Sequence, residues 1–234
     1  MAATISQFRN RIIPHVPGCP IPAIDQHVVD AMRTYCEDTK IFTKMIGATG
    51  ETPADELPAV LGFVFAAYPN GDFYIVYIDL TDYTALSGYD PIEITYFSID
   101  GIESEISHMT IDEEVASMDV FVPRDTKFYE FPDKENLEIF PFLTEAETEV
   151  TLEITIALKP SDGSTSVDDR FFDEWRKPII DLAVSNLQSL PGRKWTNYDL
   201  AAVNFARYEE EITKINTKRF NRYFKQSKMK TQFI

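Results

Sequence analysis

Over residues 149–158 the chain alternates without exception, with Val150, Leu152, Ile154, Ile156 and Leu158 on one side and Glu149, Thr151, Glu153, Thr155 and Ala157 on the other. A period of two sends successive side chains to opposite faces of a pleated backbone, so this stretch reads as a half-buried strand. It closes a region of that character that begins near Thr39. On either side of the region the period is helical. Over residues 21–37 the apolar positions Ile24, Val28, Met32 and Tyr35 recur every three or four residues, with Asp25, Asp30 and Arg33 off the stripe, the pattern of an amphipathic helix. Pro17, Pro20 and Pro22 suit its entry, because proline is tolerated before and within a first helical turn but not deeper. Beyond a Ser161-Asp162-Gly163-Ser164 linker, Phe171, Phe172, Trp175, Ile179, Leu182, Ala183, Leu187 and Leu190 resume helical spacing. Ser166, Asp168 and Asp169 are the expected N-cap and first-turn residues. Pro178 lies too deep to be a cap, which predicts a kink there or a break at Lys177. Leu190-Pro191-Gly192 ends that helix, and a last one starts near Asn197 and runs through Leu200, Ala201, Phe205, Tyr208, Ile212 and Ile215.

Between the helical stretches, residues 61–68 and 73–80 are β-branched and aromatic runs joined by Asn70-Gly71-Asp72, a turn tripeptide, and so read as a hairpin. Shorter runs at 92–99, 118–123, 127–131 and 137–142 are bounded by Pro, Gly or Asp. Many short strands at this spacing indicate a sandwich or barrel. Helices far apart in sequence must pack on each other to bury their stripes, so the expected class is α+β: an α-helical bundle scaffold with a large antiparallel β-sandwich or barrel-like insertion and an extended basic C-terminal tail. The expected parts are 1–40 and 161–213 for the scaffold, 41–160 for the insertion and 214–234 for the tail.

Charge narrows the function. A net −16 disfavours any surface that grips nucleic acid as a whole, since phosphates are neutralised by Lys and Arg. Yet after Glu211 there is no acid, while Lys214, Lys218, Arg219, Arg222, Lys225, Lys228 and Lys230 follow in succession, an asymmetry that marks an interaction tail. The first twenty residues lack the apolar core of a secretory signal, and the most apolar stretch, 57–68, contains Pro58 and Gly62 and is shorter than the roughly 20 residues needed to span a bilayer. Cys19 and Cys36 are the only cysteines. A helix between them, rising about 1.5 Å per residue, keeps them over about 20 Å apart, so they neither pair nor share a metal. Both read as buried structural thiols. His15, His27 and His108 have no Ser, Cys or carboxylate at a nucleophile spacing, and no phosphate loop, zinc motif or nucleophile elbow occurs. Asp112-Glu113-Glu114 lacks calcium-loop spacing and reads as a solvated acidic loop. No catalytic, cofactor or metal residue is therefore assigned, and a non-enzymatic role is expected. Gly18 between Pro17 and Pro20 makes a shaped corner before the first helix, and Trp195, after Lys194, is placed to wedge two helices.

Val16-Pro17-Gly18-Cys19-Pro20, a helix ending in Tyr35-Cys36, and Thr39 and Phe42 beyond it resemble the N-terminal signature of head–tail connector (adaptor) proteins of tailed bacteriophages. Leu158-Lys159-Pro160, Leu190-Pro191-Gly192-Arg193-Lys194-Trp195-Thr196-Asn197 and Leu200-Ala201 resemble the same family's C-terminal signature. The resemblance covers roughly the first forty and last eighty residues, and the insertion matches no motif. It implies a structural subunit of the virion neck, a homo-oligomeric ring, usually a dodecamer, that binds the portal protein above and tail or nozzle proteins below. Double-stranded DNA passes through its lumen without sequence-specific contact. It also implies that the C-terminal segment docks into the portal, where Lys218, Arg219, Arg222 and Lys225 supply charge and Phe220, Tyr223 and Phe224 apolar anchors. Two other readings compete. A free-standing β-sandwich binding glycan or protein would carry its ligand patch around Tyr74, Tyr77, Tyr83 and Tyr89. A carboxylate-dependent cell-wall hydrolase would need two carboxyl groups about 5–10 Å apart in a cleft.

Overall fold

A computed structural model of the chain describes residues 2–51, 63–67, 74–83, 86–99, 102–108, 126–142 and 149–229. In chain order the elements are β1 (Ala2–Thr4), α1 (Ser6–Ile12), a 3-10 turn (Ile13–His15), α2 (Ile21–Thr39), β2 (Thr43–Glu51), β3 (Phe63–Ala67), β4 (Tyr74–Asp79), β5 (Tyr89–Ile99), β6 (Ile102–Glu103), β7 (Glu105–His108), β8 (Thr126–Glu130), β9 (Asn136–Phe142), β10 (Glu149–Pro160), β11 (Ser166–Asp168), α3 (Arg170–Asp173), α4 (Arg176–Gln188) and α5 (Tyr198–Met229). The class is α+β. Its residues divide into two compact units, Met1–Ile41 with Lys159–Ile234, and Phe42–Leu158.

The first unit is built from helices. Pro20 is extended ahead of α2 and Pro22 lies in its first turn; at the other end Lys40 adopts a left-handed φ of 51° and donates its N–H to the Cys36 carbonyl. The predicted stripe Ile24, Val28, Met32 and Tyr35 is fully buried, each aliphatic member contributing about 1.5–3 kcal/mol by leaving water. Against it pack Phe8 and Ile12 of α1 and Ile179, Leu182 and Leu187 of α4, all buried. Helix α4 is the hub, with α1, α2 and α5 all packed on it. The break before α4 falls at Glu174 and Trp175, not at Lys177 or Pro178. Pro178 is thus the third residue of a new helix, where a missing N–H costs no intrahelical bond. Trp175 fills the break, edge-on to Phe171 at 5.2 Å and tilted against Tyr35 at 6.1 Å. Ser166 and Asp168, expected at a helix start, instead lie in β11, which pairs antiparallel with β1 and ties the two ends of this unit together. Asp168 still accepts from the N–H of Arg170 at 3.1 Å. Asn197 does cap the last helix, its side chain accepting from the N–H of Leu200 at 3.1 Å.

The second unit is built from two sheets, in strand orders β2-β10-β5-β6 and β3-β4-β9-β8-β7. Strand β10 lies second in its sheet and pairs antiparallel with β2 from Ala157↔Thr43 to Glu149↔Glu51. Leu152, Ile154, Ile156 and Leu158 are buried, as the alternation requires; on the opposite face the Glu153 carboxylate accepts from the Ser98 hydroxyl and Ala157 is buried as well, while the Thr155 backbone carbonyl accepts from the Thr95 hydroxyl. The expected hairpin pairs β3 with β4, and its turn residues lie outside the described ones, as does the run at 118–123. Two corrections concern the architecture. The pairing of β7 with β8 is parallel, so the larger sheet is mixed. Neither strand order closes on itself among the described residues, so no barrel is formed there. The sheets are joined through Tyr129 of β8, whose hydroxyl accepts from the N–H of Ile94 in β5 at 3.2 Å.

Candidate functional site

The sequence places its interaction residues at two junctions of the first unit, and both bear on α5. Helix α5 presents Ala201, Asn204 and Tyr208 inward, a stripe at helical spacing that is buried. What it meets on α4 is polar along most of its length. Ser185 donates to the Ala201 carbonyl at 2.9 Å, Asn204 donates to the side-chain carbonyl of Gln188 at 3.2 Å, and Lys177 reaches Glu211 at 3.4 Å. Between them Asp181 has a carboxylate oxygen shielded from solvent and without a hydrogen-bond partner among the described residues. Burial raises its pKa above the ordinary carboxylate value, and the charges of Lys177, Arg207 and His15 oppose that rise. Tyr208 closes the seam from below by donating to Asp38 at the end of α2 at 2.5 Å, and Asn216 donates to the Asp38 carbonyl at 3.4 Å.

Beyond Asn216 the backbone stays helical to Met229. The expected extended tail is corrected accordingly: residues 214–229 are the continuation of α5, because nothing between Glu209 and Met229 breaks a helix. Lys214 is held by Glu210 at 2.7 Å and Glu211 at 3.3 Å, and Lys218 is exposed. Arg219, Phe220, Arg222, Tyr223, Phe224 and Lys225 stand on the helical backbone, and their side chains lie outside the described residues.

The second junction joins the two stretches that carry the family resemblance. Gly18 has φ +84° and Gly192 has φ +69°, conformations that favour glycine at both corners. Gln188, at the end of α4, donates to the His15 carbonyl at 3.1 Å while its own carbonyl accepts from the N–H of Asn197 at 2.9 Å. Thr196 donates to the Leu190 carbonyl and accepts from the N–H of Arg193. Residues 13–20 and 190–197 are thereby neighbours, and Arg193 lies near enough to Cys19 for its charge to oppose the rise in thiol pKa that burial causes. Pro17, Pro20 and Pro191 frame this corner. Cys19 is half-buried, a correction to its expected burial, whereas Cys36 is buried and its thiol is pushed well above the ordinary value by desolvation. Trp195 is half-buried, with its indole N–H shielded and without a partner among the described residues. Tyr198, at the start of α5, is exposed.

Elsewhere the described residues offer little for catalysis. His15 is exposed, His27 is half-buried on α2, and His108 is exposed with its ring edge-on to Tyr129 at 5.3 Å. Among the described residues no group of three or more His, Cys, Asp or Glu side chains is placed to hold a metal ion, and Asp112-Glu113-Glu114 lies outside them. A cleft of about 370 Å³ between α1, the start of α2 and residues 163–165 contains Arg9 and Asp25. These two neutralise each other through paired bonds of 2.6 Å. Asp181 and Glu211 have carboxyl groups shifted in opposite directions, Glu211 being lowered chiefly by its bond from Lys214, but they lie in the seam between helices and not in that cleft. Of the tyrosines in the competing ligand patch, Tyr89 stacks on Phe42 at 4.8 Å and Tyr83 is half-buried, while the side chains of Tyr74 and Tyr77 lie outside the described residues. No described helix is long and apolar enough to cross a membrane. In comparisons with known proteins, no family model matches the chain and no curated protein matches it significantly.

The polar seam was not legible in the sequence, since Lys177, Asp181, Ser185 and Gln188 occupy positions that read equally well as a solvated face. Their spacing of three or four residues was the available signal.

Proposed function

We propose that the chain is a non-enzymatic structural subunit of a phage neck, a ring-forming head–tail adaptor that joins the portal to the tail and lets DNA pass. The observation that supports it best is the adjacency of residues 13–20 and 190–197, since the two stretches that resemble the connector signatures at opposite ends of the chain meet in one helical unit. On this reading the helical unit builds the ring, and the basic part of α5 is the portal-docking element. Lys218, Arg219, Arg222 and Lys225 steer the encounter, while Phe220, Tyr223 and Phe224 provide the apolar hold. The acidic remainder suits a passage that must not retain phosphates. The two-sheet unit, packed as a sandwich, faces tail or nozzle proteins.

The test is removal of residues 219–234, which leaves the bonds of Tyr208 and Asn216 to α2 in place. Thermal melting should be nearly unchanged while co-sedimentation with portal particles is lost. A truncated chain that still joins those particles at full occupancy would refute the docking role, and full-length protein that retards bare DNA at physiological salt would redirect the basic segment to nucleic acid.

A further inference from the structure

In its first three turns α5 seats with most of its large apolar side chains exposed. Of the apolar residues there only Ala201 and Tyr208 are buried, while Tyr198, Leu200, Val203 and Phe205 are exposed, as are Ala202 and Ala206. Little apolar area leaves water when these turns seat, so their hold depends on what the seam with α4 contributes. On the α4 side that seam is lined by Lys177, Asp181, Ser185 and Gln188, whose steps of three or four residues keep them on one face.

Three of these four side chains are bonded across the seam. Ser185 donates to the Ala201 carbonyl, Gln188 accepts from Asn204, and Lys177 reaches Glu211. Asp181, between them, differs: one oxygen of its carboxylate is shielded from solvent and receives no hydrogen bond among the described residues. That oxygen has lost its water without gaining a donor, so the closed seam disfavours the ionised form and opening relieves it. The charges facing it are Lys177 on α4, Arg207 and Glu211 on α5 and His15 on the 3-10 turn. The basic groups favour the carboxylate and Glu211 opposes it, but Lys177 is engaged with Glu211. Burial outweighs the cations and raises the Asp181 carboxyl above its ordinary 3.8.

We propose that Asp181 is a proton-operated latch between α4 and α5: the neutral acid lets the seam close firmly, and the ionised carboxylate loosens it so that the first turns of α5 open more often. The direction follows from linkage. A carboxyl that holds its proton more tightly in the closed seam than in the open one stabilises closure as the pH falls from above its raised value towards 3.8. Glu211 sets the lower limit. Its carboxyl is lowered, chiefly by the bond from Lys214, so the stability it contributes is present above its ordinary 4.5 and is lost as the pH falls below that. Closure is therefore firmest in mild acid. The latch goes beyond the adaptor reading and does not rest on it, since it concerns how α5 is seated on its own chain and not what the helix meets.

The experiment is amide hydrogen exchange on the full chain from about pH 4.5 to 7.5, with the parent, Asp181→Asn and Asp181→Ala compared as protection factors over residues 200–208. Protection in the parent should rise as the pH is lowered, by at most about tenfold per pH unit, the limit set by one proton. Asp181→Asn keeps the side-chain shape without the charge. Its protection should be flat over this range and, at pH 7, several-fold above the parent's. Asp181→Ala should be flat as well, its pH profile and not its baseline being the readout. Amides of β10, in the other unit, should not distinguish the three chains. A parent with a flat profile overturns the latch. So does an Asp181→Asn chain that keeps the parent's rise, because another group would then be titrating. An Asp181→Asn chain less protected than the parent at pH 7 also refutes it, since the ionised carboxylate would then be holding the seam through Lys177 or Arg207. Capture on portal particles tests the adaptor reading separately, and neither result decides the other.

Discussion

Raising the pH should unfold the helical unit before any exposed group could account for it. Cys36, Tyr35 and Tyr208 are buried together where α2 meets α5, and desolvation pushes all three far above their ordinary values of 9.0 for the thiol and 10.0 for the phenols. A group whose folded pKa is raised contributes full stability below its unfolded value, and that stability drains away as the pH climbs from the unfolded value towards the folded one. At pH 11 the unfolded thiol would already have released its proton over about two pH units, worth about 2.7 kcal/mol, and each phenol over about one, worth about 1.4 kcal/mol. Together they weaken the unit by about 5.5 kcal/mol, comparable with the roughly 5–15 kcal/mol stability of a whole domain. Trp175 and Trp195 are the only tryptophans, and both lie in this unit, so tryptophan emission during denaturant unfolding reports it selectively. Midpoints should be flat from pH 7 to about 8.5 and then fall with increasing slope to pH 11. In Tyr208→Phe the alkaline slope should be shallower by one proton, about 1.4 kcal/mol per pH unit, although the variant is weaker at neutral pH through loss of the bond to Asp38. An unchanged slope in that variant would mean that Tyr208 ionises inside the folded unit, and the burial argument would be wrong.

Other expectations are more local. Asn204→Ala leaves the Gln188 side-chain carbonyl without its donor at a buried site and should cost about 1–3 kcal/mol in the same unfolding measurement. Gly18→Ala meets no steric obstacle, yet its φ of +84° should cost about 1–2 kcal/mol, measurable as a lowered melting temperature with unchanged helical circular dichroism. Leu152→Ala empties a fully buried site on β10 and should cost about 2–5 kcal/mol; since no tryptophan lies in residues 42–158, the loss should appear in near-ultraviolet tyrosine dichroism while tryptophan emission changes little.

Local pattern was enough to determine that α2 and β10 exist and which of their faces are buried, because a helical or strand period is a property of the segment itself. Ile24, Val28, Met32 and Tyr35 had to share one side of a helix, and Leu152, Ile154, Ile156 and Leu158 one side of a strand. Asn197 announced the start of α5, and the run of cations after Glu211 was plain from composition. The break before α4 was foreseen but misplaced, since a proline restricts the backbone over several residues and only the packing of Trp175 against Phe171 and Tyr35 selects the point of interruption. Ser166 and Asp168 were misread for a related reason, because residues suited to a cap also fit a short edge strand once a partner such as β1 is present. Pairing was beyond the sequence. That β10 joins β2 across a hundred residues and that β7 runs parallel to β8 depend on which hydrogen-bonding edges meet after the whole unit collapses. The adjacency of residues 13–20 and 190–197, the polar seam under α5 and its uncovered apolar face were decided in the same way. A sequence shows that a side chain is apolar or charged, but only the assembled helices determine which of those side chains another element covers and which are left to face a partner.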